Sequence, residues 1–304
     1  MTDNTQFSFR IAHNNKARNN EARKNKAKII INNRGDWKPF AGGGLTNQLL
    51  EVMSGLKQCR TIGIRAAQVV GFRSDMFVSD SAPLSLVLDI NKTNEALSRI
   101  GLPILEEKDN GSEAGIEVRP KYRSFREIYG PQLAAFHPAS WICDLCEKRM
   151  PRGGFDTVML RLGIDEVLYK CMPGVHHEHA GARGERVSAW IEGEGREKVD
   201  AHVKEICTKL DQEFNGTRPV WVCTSVGKSS RHAVMEKYLE TIVRERPYLI
   251  WEKSIPDPRR EVCAMVDMWI CVRGGRHVSL PEGSTLSRFI REWKQRVATD
   301  PSVR

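Results

Sequence analysis

Apolar residues along this chain fall into short continuous runs separated by longer stretches in which they recur every three or four positions. The first run, Lys28 to Asn33, carries Ile29, Ile30 and Ile31, and Leu45, Leu49, Val52, Met53 and Leu56 then predict a helix from Leu45 to Arg60. Ala67 to Phe77 and Leu84 to Leu88 are further apolar runs, Ile90 to Ile100 is helical in pattern, and Ile104 opens another run. Glu107 to Gly115 is polar and contains glycine, so it is expected to be a loop. Pro131 to Pro138 and the turn Pro151-Arg152-Gly153-Gly154 mark a boundary, after which the pattern restarts.

Beyond the boundary, strands are expected at Thr157–Arg161, Pro219–Thr224, Tyr248–Trp251 and His277–Leu280. Helices are expected at Gly195–Phe214, Arg231–Arg244, Arg260–Met268 and Ser284–Val297, the third running into the apolar Trp269-Ile270-Cys271-Val272. Strands spaced by helical stretches of this length predict parallel sheets with helices on both faces. At 304 residues the chain exceeds the usual growth of one core, so two domains of about 150 residues are expected. The expectation is an α/β chain: a segment 1–27, a first Rossmann-like domain 28–150, a second 151–297 facing it across a cleft, and a tail 298–304.

Composition changes this picture only at the ends and at the cysteines. The net charge of +9 is concentrated early, with Arg10, Lys16, Arg18, Arg23, Lys24, Lys26 and Lys28 against the single acid Glu21. Such a stretch buries too little apolar surface to order itself, so 1–27 is expected to be a flexible basic arm. It could touch nucleic acid, an anionic membrane surface or an acidic partner, act as an organelle leader, or be a solvated tail. No apolar run approaches the length of a membrane span, and the N-terminus lacks the apolar core of a secretory leader, which makes the cytoplasm the default expectation. The eight cysteines are scattered and are expected to be reduced, with Cys223 and Cys271 inside apolar runs that look like buried strands.

Three groups of residues could carry chemistry. Ala41-Gly42-Gly43-Gly44 empties the first strand into the first helix, a place where backbone N–H groups can face an anion or a sugar phosphate. Met159-Leu160-Arg161-Leu162-Gly163-Ile164-Asp165 puts an arginine at the carboxyl end of a parallel strand, where open α/β sheets bind ligands and where its planar fork suits phosphate. Taken alone, Arg161 could equally be the local ion-pair partner of Asp165. Pro281-Glu282-Gly283-Ser284-Thr285-Leu286-Ser287 offers hydroxyls and free N–H groups at a helix start, either as an oxyanion cradle or as an ordinary N-cap.

In order and spacing the three groups resemble the GDP-fucose protein O-fucosyltransferase superfamily, inverting glycosyltransferases of the two-Rossmann-domain GT-B fold. The matching residues are Gly43-Gly44-Leu45-Thr46-Asn47-Gln48, Met159-Leu160-Arg161 with Asp165, and Ser284-Thr285-Leu286-Ser287, with Leu86-Val87-Leu88-Asp89-Ile90 similar to the family's middle region. The resemblance spans about residues 28 to 295. It implies that Arg161 clamps the β-phosphate of a nucleotide sugar, that Ser284, Thr285 and the Leu286 amide complete the phosphate site, and that Asn47 lies near the sugar and the leaving oxygen on the acceptor side. It further implies transfer to a hydroxyl of a protein or glycan with no metal or other cofactor, because fixed donors already meet the charge growing on the diphosphate.

The chain departs from the family's pattern in three places. Met159 stands where the family has histidine, Leu286 where it has phenylalanine, and Arg273-Gly274-Gly275-Arg276-His277 where an acidic residue associated with the guanine base is usual, leaving Asp267 as the candidate substitute. Asp165 is a poor general base beside Arg161, and its expected role is to orient that arginine or the loop. Two other chemistries have some sequence support. Val222-Cys223-Thr224-Ser225-Val226-Gly227-Lys228-Ser229 has the setting of a phosphate-binding loop but valine at its first glycine position. Cys143 and Cys146 have knuckle spacing, with Cys171 and His176 as further metal-ligand types. A non-enzymatic scaffold that binds nucleic acid or a protein through the arm, and a transferase using another nucleotide sugar, are the alternatives.

Overall fold

The computed structural model describes residues 29–31, 44–69, 71–73, 81–107, 116–118, 133–171, 184–226, 233–252 and 259–299. The basic arm, Gly43, His176, Lys228 and the loop after Glu107 lie outside them. The chain divides into two compact units. Asn47–Arg73 and Ser81–Ala139 belong with the first strand to one, and Ser140–Arg304 forms most of the other.

In the first unit, β1 (Ile29–Ile31) is followed by α1 (Leu45–Thr61), β2 (Ala66–Val69) and a short antiparallel pair, β3 (Phe72–Arg73) and β4 (Ser81–Ala82). Then come α2 (Leu84–Val87), α3 (Ile90–Arg99), β5 (Ile104–Glu107) and β6 (Ile116–Val118). The sheet has the order β5-β2-β1-β6, with all its pairs parallel. Leu49, Val52, Met53 and Leu56 are fully buried, which is the helical stripe expected for α1. The run at Leu84 folds as one helical turn with Leu84 and Val87 buried.

Asp89 starts α3 by accepting from the Lys92 amide at 3.1 Å. One turn on, the Asn94 side chain donates to the Leu105 carbonyl at 2.8 Å and accepts from its amide at 2.7 Å. These bonds satisfy backbone groups on the outer edge of β5 that would otherwise offer a template to another strand.

The second unit opens with α4 (Ser140–Arg149), β7 (Asp156–Leu160), α5 (Ile164–Cys171), α6 (Gly184–Glu192) and α7 (Arg196–Glu213). It continues with β8 (Val220–Cys223), α8 (Ala233–Glu245), β9 (Leu249–Ile250), α9 (Arg260–Arg273), β10 (His277–Leu280) and α10 (Thr285–Thr299). Its sheet has the order β10-β7-β8-β9, again all parallel. Val158, Leu160, Val220, Val222 and Leu280 from the strands form one apolar cluster with Val199, Ile206, Leu210, Leu239 and Ile242 from α7 and α8.

Both sheets therefore have the doubly wound order. Counting only the strands of each parallel sheet, each runs 3-2-1-4, so the first strand lies between the second and the last. The order reverses at β1/β6 in one unit and at β7/β10 in the other. Such a reversal leaves a crevice beyond the strand ends, because the connections on its two sides leave in opposite directions.

One expectation fails. Cys271 does not sit in a strand: α9 continues through Trp269-Ile270-Cys271-Val272 to Arg273. Val262, Met265, Val266, Met268, Trp269, Ile270, Cys271 and Val272 are all buried, as α9 packs against α4, α10 and the sheet. A helix covered on every side is apolar all round, so its sequence loses the period that marks a surface helix. Gly274 then ends it by leaving helical geometry.

The seat of α10 is aromatic. Trp293 is fully buried, with its ring centroid 5.3 Å from Trp269 of α9 and 5.5 Å from Phe289 one turn earlier. Replacing Trp293 with alanine is expected to destabilise the second unit by about 3–5 kcal/mol, measured as a lowered urea midpoint.

Candidate functional site

The reversal point of the second unit gathers two of the three sequence groups. Parallel pairing sets Met159 opposite Ser279 and Leu160 opposite Leu280. One step further the Arg161 amide donates to the Leu280 carbonyl at 2.9 Å. The last residue contributed by β7 and the turn leaving β10 are thus held side by side. That turn runs through the cis Leu280–Pro281 bond and Gly283, whose φ of +99° is a conformation that glycine adopts without strain. It delivers the chain to Ser284 and the start of α10.

Ser284 is buried and acts as the helix cap, its Oγ accepting from the Ser287 amide at 3.4 Å. The same hydroxyl donates to Met159 Sδ at 3.2 Å. Methionine at the family's histidine position therefore accepts the bond that ties the second group to the third. Ser284 is committed to these contacts, and the first amides of α10 have no partner within the helix, with Thr285 and Leu286 half-buried. The amide end of a helix carries partial positive charge and suits phosphate.

Arg161 is 30% exposed and its Nη2 lies 2.5 Å from Glu166 Oε2, whose side chain is only 7% exposed. Glu166, the residue after the Asp165 expected beside Arg161, is thus an ion-pair partner of this arginine. Asp165 belongs to α5, and its side chain lies outside the described residues. A buried carboxylate holding one edge of a partly exposed guanidinium fixes the fork and leaves its remaining N–H groups for a ligand. The signal for Glu166 was its place in the first turn of the helix that follows Leu162-Gly163.

Beneath the helix start, His277 bridges Thr157 and Ser287. Thr157 Oγ1 donates to the Arg276 carbonyl at 3.2 Å and lies 2.9 Å from His277 Nδ1. On the other side of the ring His277 Nε2 lies 3.1 Å from Ser287 Oγ, so the imidazole hydrogen-bonds to both hydroxyls. Arg276 lies at the opposite end of β10 and has structural partners. Arg276 binds the Glu213 carboxylate, donates to the Glu213 carbonyl at 2.6 Å and stacks on Phe214. Asp267 is buried in the middle of α9, where it adds to the burial that pushes the Cys146 thiol up.

Cys146 and Cys171 are buried thiols bonded to backbone carbonyls. Cys146 donates to the Val266 carbonyl and Cys171 to the Lys198 carbonyl, each at 3.7 Å, and burial raises both. Among the described residues no cluster has the ligands for a metal. At the candidate phosphate loop, Thr224 Oγ1 accepts from the Val226 amide at 3.3 Å, and the chain beyond Val226 lies outside the described residues.

Gly44 leads into α1, and Asn47 sits in the first turn of that helix. Asn47 Oδ1 is buried with no hydrogen-bond partner among the described residues. Glu51, which the sequence reading passed over, is 5% exposed one turn beyond Asn47. Burial pushes its carboxyl up to about 8.

No protein-family model and no curated protein sequence matches the chain. The fold is similar to the crystal structure of POFUT1 in complex with GDP, at 12% sequence identity over 88% of this chain and 94% of that one, with a TM-score of 0.49. It is also similar to the crystal structure of NodZ alpha-1,6-fucosyltransferase soaked with GDP-fucose, at 12% identity over 88% and 92% of the two chains and a TM-score of 0.45.

The buried Glu51 has a consequence for stability. Its folded pKa lies above the unfolded value, so between about 4.5 and about 8 the folded state keeps a proton that the unfolded state has released. Stability should therefore fall by up to about 1.4 kcal/mol per pH unit across that window and level off above it. Thermal unfolding of Glu51→Gln as a function of pH is expected to lack this decline.

Proposed function

We propose that this protein is an inverting glycosyltransferase that moves a sugar from a nucleoside diphosphate to a hydroxyl, with GDP-fucose as the donor and a protein or glycan as the acceptor. The observation that carries this reading is the convergence of Arg161 and the amide end of α10 at the strand-order reversal of the second unit. Backbone pairing at 2.9 Å and the Ser284–Met159 contact hold the two together. An arginine fork plus a helix amide end is a seat for a diphosphate, the leaving group of sugar transfer. The ordered resemblance of all three sequence groups to the O-fucosyltransferase superfamily narrows the donor to GDP-fucose.

The chemistry asked of this site is modest. As the bond between the anomeric carbon and the phosphate oxygen lengthens, negative charge collects on the diphosphate. Donors already aimed there lower the barrier without reorganising. Glu166 keeps Arg161 oriented, while the Thr285 hydroxyl and the first amides of α10 supply the other donors. In this reading the cation and the helix together meet the charge that a divalent metal meets elsewhere, and Asn47 serves the sugar and acceptor side.

Calorimetric titration with GDP, UDP and ADP in EDTA tests the donor site. GDP is expected to bind in the micromolar range with chelator present, and Arg161→Ala to weaken it about 100-fold, equivalent to about 3 kcal/mol. Binding of UDP or ADP in place of GDP would keep the diphosphate seat and replace the fucose assignment. Failure of all three to bind would overturn the transferase reading in favour of a scaffold that acts through its basic N-terminal segment.

A further inference from the structure

A diphosphate seat in a sugar transferase serves two opposed needs. It holds the nucleotide sugar while the bond to the sugar breaks, and then lets go of a leaving group that has gained a negative charge. In the intact donor both phosphates are esterified on two sides and each carries one charge. Once the sugar has left, the terminal phosphate is a monoester and loses a second proton with a pKa of about 6. A seat built only from an arginine and a helix amide end gains affinity with each charge added, so it favours the product.

Glu166 alters that balance. It lies in the first turn of α5, its side chain is 7% exposed, and its Oε2 is 2.5 Å from Arg161 Nη2. The turn that presents it is firmly built. The Glu166 and Val167 amides both donate to the Gly163 carbonyl, at 3.0 and 3.1 Å, and the Ile164 and Val167 side chains are fully buried. The carboxylate is therefore fixed on one side of a guanidinium that is itself 30% exposed and able to meet a ligand. Together the two side chains contribute direction and hydrogen bonds but no net charge. A carboxylate buried across one guanidinium from the ligand repels each negative charge placed there by well over RT, because little water intervenes to screen it.

Resting on the transferase reading, we propose that Glu166 sets the preference of the seat between substrate and product, weakening the hold on the freed nucleoside diphosphate relative to the intact nucleotide sugar. The charge of Glu166 is separable from its grip on Arg161. Orientation of the fork acts on both ligands alike, since both present a diphosphate to it, whereas the negative charge acts on the difference between them. The groups involved, Arg161, Glu166 and the start of α10, all belong to the second unit.

Titration of full-length protein with GDP and with GDP-fucose at about pH 8, in EDTA and without acceptor, reads the ratio of the two dissociation constants where the freed phosphate has lost its second proton. Glu166→Gln keeps the size of the side chain and an oxygen for Arg161 but removes the charge. The variant is expected to move the ratio in favour of GDP by about tenfold, and inhibition of GDP-fucose turnover by added GDP should strengthen in step. If Glu166→Gln does not fold, Glu166→Asp decides, because it draws the carboxylate back and should move the ratio the same way by about threefold. A folded glutamine variant in which both affinities change equally, or not at all, overturns the proposal and leaves Glu166 as a positioning residue for Arg161, with the transferase reading intact. An aspartate variant with an unchanged ratio does the same. Wild-type protein that binds neither GDP nor GDP-fucose overturns both.

Discussion

The candidate donor site depends on the parallel pairing of β7 with β10. These strands are separated by well over a hundred residues, and their side-by-side register is what brings Arg161 to the turn that starts α10. A slip of one residue would turn Met159 away from Ser284 and move Arg161 off the Leu280 carbonyl. The register is defended from below by Val158, Leu160 and Leu280 in the shared apolar cluster, and from the helix side by the Trp269–Trp293–Phe289 contacts. The polar groups of the site stand on this apolar foundation.

Much of the fold was legible because most of its helices are covered on one face only. Leu45–Thr61, Ile90–Arg99, Arg196–Glu213, Ala233–Glu245 and Thr285–Thr299 all carry a stripe that repeats with the helix period, and the strands of the second sheet are short apolar runs between them. Where burial is complete the signal disappears, as in the second half of α9, whose apolar residues look like a strand until their neighbours are known. The helices at Ile164 and Gly184 were likewise missed, being only eight and nine residues long, as was the ten-residue helix at Ser140, whose buried residues are just Ile142 and Cys146.

The candidate site was legible as groups of residues and opaque as a set of partnerships. Sequence order pointed to Arg161, Ser284 and Thr285, but gave no hint that Glu166 holds the Arg161 guanidinium. Ser284 looked like a ligand group and is largely consumed as a cap. Met159, a loss when compared with histidine, proves to be an acceptor for serine hydroxyls because sulfur is soft enough to take a weak bond in a dry place. Glu51 gave no sign in the sequence, since a single acid in a helix is usually a solvated one. Only its burial distinguishes it.

The strand order itself has a further consequence. Each unit closes its sheet in the same 3-2-1-4 sequence, so each owns a crevice built from its own first and last strands. Neither needs residues from the other to form its sheet. Substitutions around α1 can therefore reshape one crevice while leaving the Arg161–Leu280 pairing untouched, and the reverse holds for changes around α10. A chain organised in this way can drift in sequence at one crevice while the other is held constant.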